Sequence, residues 1–228
     1  MNEKYNIDGI LRKFLKPGRY TGGEYGQTVK NKEKVKCRFA FAFPDTYEIG
    51  MSNLGVRILY GALNANENIW CERVYAPWVD MQEQMKKHGI PLYAHESMDP
   101  VREFDILGFT LQYELCYSTV LNMLELSGIP LYAKDRGEEY PIVIGGGPCA
   151  YNAEPIADFF DVFSIGEGEE ALVEFCALSG STSPARMPQC FEAISMASDL
   201  EMVSETASVV TAGVPAFSLV SVGRSACE

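Results

Sequence analysis

Residues 141–170 read PIVIGGGPCAYNAEPIADFFDVFSIGEGEE. Pro141–Ile144 is a short apolar run that enters three consecutive glycines, as a buried strand does when it leaves a sheet through a tight turn. Ala153–Phe160 predicts a short helix and Asp161–Ile165 a second strand. Glu169–Leu178 predicts a helix whose first-turn carboxylates suit the macrodipole. Strands joined through a helical crossover run parallel, so this stretch points to an α/β architecture.

The same alternation continues upstream. Val35–Phe43 is aromatic-rich and stops at Pro44, which predicts a first buried strand. Met51, Leu54, Ile58, Leu59, Ala62 and Leu63 share one helical face. Arg73–Trp78 predicts a short strand, Val79–His88 a helix ended by Gly89, and Ile90–Ala94 another extended piece. Phe104–Leu111 reads as a buried strand and Leu115–Leu126 as a helix. Near-continuous apolar strands imply a parallel sheet with helices on both faces, a flavodoxin-like (Rossmann-like) domain over residues 35–176. Such sheets bind ligands beyond the carboxyl ends of their strands, at the switch point. That selects loops 44–53, 110–114, 145–152 and 166–168.

The chain has 228 residues, 47% of them apolar, and a net charge of −12. No run of eighteen apolar residues stands in it, so no membrane span is expected. The N-terminus has no apolar block before a small-residue cleavage site, so no secretory signal is expected. The acidity argues against a general nucleic-acid binder. The charge is uneven, however: residues 1–38 carry ten Lys/Arg against four Asp/Glu, net +6, which leaves −18 for the rest. Residues 1–34 therefore form a basic arm, able to dock on RNA or on an acidic neighbouring domain. The plainer reading is a solvated, partly mobile arm. Residues 177–228 hold ten serines, against five in the preceding 176 residues, and lack Lys and Tyr. This composition reads as a loosely ordered tail, a linker or a non-native end. The seven scattered cysteines read as reduced thiols in a cytoplasmic protein.

At the strand ends, Gly50, Ser52 and Asn53 precede a helix whose free N–H groups could receive an anion. Ser52 or Asn53 is equally a plain N-cap. Gly145, Gly146 and Gly147 allow close approach of backbone to a ligand, or form a tight strand exit. The Gly166–Glu170 turn reads as helix capping. No Walker lysine and no Gly-x-Gly-x-x-Gly is present, so triphosphate and NAD readings are poor. His88 and His95 lack partners at ligand spacing, and no Cys-x-x-x-Cys-x-x-Cys exists, so neither a metal site nor a cluster is expected. Ser52 and Ser118 lack a nucleophile-elbow frame. Trp70, Trp78, Tyr113 and Tyr117 read as core or rim aromatics. No catalytic residue is assigned.

Three segments carry a resemblance: FPDTYEIGMSNLGVRILYGALN (43–64), LGFTLQYELCYSTVLNMLELSGIPL (107–131) and the 141–170 stretch. Together they resemble the N-terminal cobalamin-binding-like domain of a family of radical S-adenosylmethionine (radical SAM) proteins. In cobalamin-binding domains an Asp-x-His-x-x-Gly loop follows the first strand, and its histidine can ligate cobalt. Here Asp45 and Gly50 match, while Tyr47 takes the place of the histidine. Thr110, with Leu111 and Gln112, only echoes the later Ser-x-Leu element; Gly145 and Gly146 match the glycines beside the nucleotide tail.

The resemblance implies a ligand face of Asp45, Tyr47, Gly50, Ser52, Asn53, Thr110, Gly145, Gly146 and Gly147, with cobalamin bound without a protein nitrogen on cobalt. It also implies a partner, a radical SAM catalytic barrel with a [4Fe–4S] cluster and S-adenosylmethionine, which this chain lacks. The function expected is accessory: to bind a cobalamin-like cofactor or present substrate to that barrel. The rival is an interaction module without cofactor, docking on a partner domain or on RNA through the arm. A flavin at the same switch point is a third and weaker idea.

Overall fold

In the computed structural model the described residues are 7–179 and 218–221. Five parallel strands form the sheet: β1 (Cys37–Phe43), β2 (Ile69–Tyr75), β3 (Ile106–Thr110), β4 (Ile142–Gly146) and β5 (Val162–Ile165). Their order is β2-β1-β3-β4-β5, and a sixth strand, β6 (Ser218–Ser221), pairs antiparallel with β5. The chain reverses its direction of travel across the sheet between β1 and β3. That is the switch point of the flavodoxin-like order. Among the described residues no helix is long and apolar enough to cross a membrane.

The pleat of β1 sorts its side chains. Cys37, Phe39, Phe41 and Phe43 face one way; Ala40 and Ala42 face the other. The phenylalanine face packs under α3 (Leu54–Ala65) and α6 (Gly168–Ser179), through Val56, Leu63, Leu172 and Phe175. The alanine face lies under α4 (Val79–His88) and α5 (Tyr117–Ser127), through Met81, Met85, Val120 and Met123. Every residue of β1, β2 and β3 is buried, as a sheet covered on both faces requires.

Three expectations change. Strand β2 begins at Ile69, four residues before the sequence reading, because Glu72 and Arg73 interrupt an otherwise apolar run. Both are buried, Glu72 against Arg38 at 2.5 Å and Arg73 against Glu96 at 2.7 Å. Ile90–Ala94 adds no strand to the sheet, though Tyr93 makes an isolated antiparallel bridge with Pro100; the following segment covers the β2 edge, with the His95 N–H donating to the Arg73 carbonyl at 2.8 Å. The helix after β1 is split into α2 (Tyr47–Ser52) and α3, parted at Asn53.

The arm is anchored on the domain by a few buried side chains, while most of its described residues stay exposed. It carries a four-residue helix, α1 (Asp8–Leu11), and Ile7, Ile10, Phe14 and Tyr20 enter the core beside α4 and α5. Four of its cations engage the domain. Lys16 and Arg19 pair with Glu48 at 2.8 and 2.9 Å, and Lys32 with Asp99 at 3.4 Å. The Lys30 ammonium donates to the carbonyls of Asn64, Asn66 and Ile69 at 2.9, 2.7 and 2.5 Å, capping the end of α3. Residues 1–6 of the arm lie outside the described residues, as does most of the serine-rich segment 177–228. Described within that segment are the end of α6 and strand β6.

Candidate functional site

Parallel pairing brings the carboxyl ends of all five strands to one edge, and there the loops after β1, β3, β4 and β5 meet. Just below that edge a cavity of about 170 Å³ opens between the sheet and helices α3 and α6. Phe39, Phe41 and Ile144 form its floor; Leu59 of α3 and Leu172 of α6 form its walls. Thr110, Gln112 and Ser164 supply its polar side chains. Six glycines line it: Gly55, Gly108, Gly146, Gly147, Gly166 and Gly168.

These glycines do different work. Gly108 leaves room for Phe39, whose ring would stand 2.4 Å from an added Cβ. Gly168 lets α6 approach α3, since its Cβ would meet Leu59 at 3.1 Å. Gly147 holds φ +93° at the turn out of β4, where a Cβ would press on the Leu111 carbonyl at 3.0 Å. At Gly146 nothing lies nearer than 3.7 Å. Packing leaves room there for a methyl group without a clash, beside the cavity that Gly146 lines.

Three of the residues singled out from the sequence come together here: Thr110, Gly146 and Gly147 all line the cavity. Gly145, one residue earlier on β4, faces the opposite layer. A Cβ there would sit 2.8 Å from Phe163 and 3.1 Å from Phe160. Asn53 adjoins the cavity as the cap of α3, its Oδ1 accepting the Val56 N–H at 3.0 Å. Ser52 is exposed, and its hydroxyl donates to the Ile49 carbonyl at 2.9 Å.

Asp45, Tyr47 and Gly50 lie on the β1–β2 side, outside the cavity lining. The Asp45 carboxylate accepts the Thr46 N–H at 2.6 Å and the Tyr113 hydroxyl at 2.7 Å. That hydrogen bond, with burial secondary, pushes the Tyr113 phenol up to about 12. The Tyr47 hydroxyl donates to Glu24 of the arm, and its ring rests on His95 and Tyr75 with centroids 5.5 Å away from each. Burial first, then Glu24, raises Tyr47 to about 12. Gly50 permits this packing, because a Cβ there would meet the Tyr75 ring at 2.4 Å. His95 is 6% exposed; burial and then the Arg73 charge lower it to about 4, so its imidazole is neutral near pH 7.

Sequence reasoning missed Gly55, Leu59 and Ser164 as cavity residues; Gln112, Gly166 and Gly168 fall in the loops it selected but were not placed on the ligand face. One signal was present: a glycine in the first turn of each of two helices, Gly55 and Gly168. Among the described residues no three His, Cys, Asp or Glu side chains gather to hold a metal ion.

The family model described as radical SAM proteins, N-terminal, matches residues 55–203. An uncharacterized protein of Methanocaldococcus jannaschii is 29% identical over 139 residues, a match that takes in 60% of this chain and 25% of that protein. The likeness thus spans about a quarter of that relative's length. No solved structure matches.

Proposed function

This chain belongs to the N-terminal domain family of radical SAM proteins, and on that premise we propose that it binds a cobalamin-like cofactor at its strand ends and presents it to a cluster-bearing catalytic domain. The observation that carries the reading is the cavity beside Gly146. It is lined by apolar side chains and six glycines, and a Cβ at residue 146 would meet nothing nearer than 3.7 Å. The resemblance puts the nucleotide tail beside the same glycine.

The residues fit such a group on that side. Glycines 146, 147, 166 and 168 let backbone close on it, and Thr110, Gln112 and Ser164 offer hydroxyl and amide groups. Tyr47, where the resemblance puts a ligating histidine, has its phenol donated to Glu24 and would offer a bound cofactor no nitrogen. Bound there, the cofactor would bring cobalt chemistry, and the protein its binding and orientation. The five described cysteines are free and buried, which suits a reducing cytoplasm.

A second reading, an interaction module without cofactor, draws on exposed apolar side chains at the same edge. Leu54, Trp78, Leu115 and Tyr151 follow β1, β2, β3 and β4 and are 67%, 49%, 86% and 73% exposed. A partner domain suits this apolar edge better than RNA does, and four of the arm's cations, Lys16, Arg19, Lys30 and Lys32, are engaged within the domain.

Titration of the full chain with hydroxocobalamin and with adenosylcobalamin separates the two. Saturable binding with a base-off spectrum, lost in Gly146→Val, supports the cofactor reading. Tyr47→His should then shift the spectrum toward nitrogen ligation. No saturable binding of either below about 1 mM leaves the interaction module as the better account.

A further inference from the structure

We propose that Thr21–Gln27 is a flap over the loop that follows β1, held shut by one latch, the hydrogen bond from the Tyr47 hydroxyl to Glu24. The inference goes beyond the cofactor reading and does not depend on it.

Both ends of the segment are fixed. On one side Tyr20 is buried; its hydroxyl accepts the Trp78 N–H at 3.2 Å, and its carbonyl accepts the Tyr93 hydroxyl at 3.1 Å. On the other, the Thr28 N–H donates to the Tyr60 hydroxyl at 2.7 Å, and the Thr28 carbonyl accepts the Trp70 Nε1–H at 3.0 Å. Lys30 adds its three carbonyl contacts just beyond.

Between these anchors the loop holds its own shape. Gln27 Oε1 accepts the N–H groups of Gly23 and Glu24, each at 3.0 Å, and the Gln27 N–H closes back on the Glu24 carbonyl at 3.1 Å. Gly22, Gly23 and Gly26 have φ of +60°, +79° and +77°. A Cβ on Gly23 or Gly26 would touch nothing within 4 Å, and Tyr25 at the tip is fully exposed. Gly22 rests on the His95 carbonyl, where a Cβ would come within 2.1 Å. The side-chain tie from the loop to the domain, among the described residues, is Glu24 to Tyr47.

The loop is therefore a preformed unit hinged at Tyr20 and Thr28, and opening it breaks little besides the latch. Open, it bares Tyr47 and the β1 side of the strand-end edge; shut, it covers them. One hydrogen bond biases such a two-state segment by only a small factor, which suits a device that opens on demand.

Chymotrypsin cleavage after Tyr25 tests this, because cleavage of a folded protein follows the population of the locally open state. Glu24→Ala and Tyr47→Phe should each speed it about three- to tenfold, the factor one lost hydrogen bond carries. The double variant should be no faster than the faster single one, since both remove the same latch. Cleavage after Tyr151, which is 73% exposed on another loop, should stay at the parent rate. The proposal is overturned if either single variant leaves Tyr25 cleavage unchanged, if the two effects multiply, or if Tyr151 cleavage rises by the same factor. The assay contains no cofactor, so its failure would leave the cofactor reading standing.

Discussion

The Tyr113 hydroxyl donates to Asp45 Oδ2 at 2.7 Å and ties the loop after β3 to the loop after β1 across the switch point. In a flavodoxin-like sheet these two loops border the ligand crevice. Bridging them with an exposed hydrogen bond gives the site a fixed edge that a ligand can displace.

This pair should be visible in an alkaline titration. With Asp45 as its acceptor, Tyr113 ionises near 12 rather than near 10. The phenolate absorbance difference between the parent chain and Tyr113→Phe should centre there. In Asp45→Asn the same difference should move back toward about 10. A Tyr113 signal already near 10 in the parent chain would mean that the bridge is not made.

Gly145 and Gly146 are neighbours with opposite demands. Gly145→Ala drives a methyl against Phe163 and Phe160 and should cost about 1–3 kcal/mol in urea unfolding. Gly146→Ala meets Ser164 only at ordinary contact distance, 3.7 Å, and should leave the urea midpoint nearly unchanged. Equal losses in the two variants would show that position 146 is packed and the cavity is not a site.

Near-complete burial, with Arg73 adding to it, depresses His95 to about 4 from 6.5. The native state therefore resists protonation while the unfolded chain accepts it, and the stability from neutral His95 is complete above pH 6.5. It is lost as pH falls from 6.5 toward 4, by roughly 3 kcal/mol. Glu72 and Glu96, raised by burial, titrate with the opposite sign, so the whole-protein slope is a mixture. His95→Leu should flatten the dependence between pH 6.5 and 4.5. An unchanged slope in that variant would assign the acid sensitivity elsewhere.

Arg136 is buried, donating to the carbonyls of Pro130, Leu131 and Phe159 at 3.0 Å each and pairing with Asp161 at 3.2 Å. Asp161 in turn accepts the Val143 N–H at 2.8 Å. The guanidinium thus pins the 130–136 loop to the start of β5. Arg136→Met takes the cation away from a buried carboxylate and should cost about 3–5 kcal/mol. Loss below about 1 kcal/mol in equilibrium unfolding would contradict this role.

Much of the domain was legible because its signals are local. Val79–His88 forms the helix that its periodicity and Gly89 predict, with Gly89 at φ +62°. Strands β1, β3, β4 and β5 fall on their apolar runs, which must be apolar because both faces of the sheet are covered. The parallel sheet, and with it the strand-end location of the candidate site, follows from that alternation alone.

Tertiary structure decided the rest, where a residue's role depends on what lies across from it. Glu72 and Arg73 are strand residues because Arg38 and Glu96 neutralise them at the β2 edge, partners 34 and 23 residues away in the chain. The arm is part of the domain because Phe14 and Tyr20 find room beside α4 and α5, which no pattern in the arm itself reveals. In the Gly145-Gly146-Gly147 run the sequence shows three equivalent glycines. The pleat turns Gly145 onto Phe163 and Gly146 toward the space between α3 and α6, and only the packing of those helices leaves that space empty.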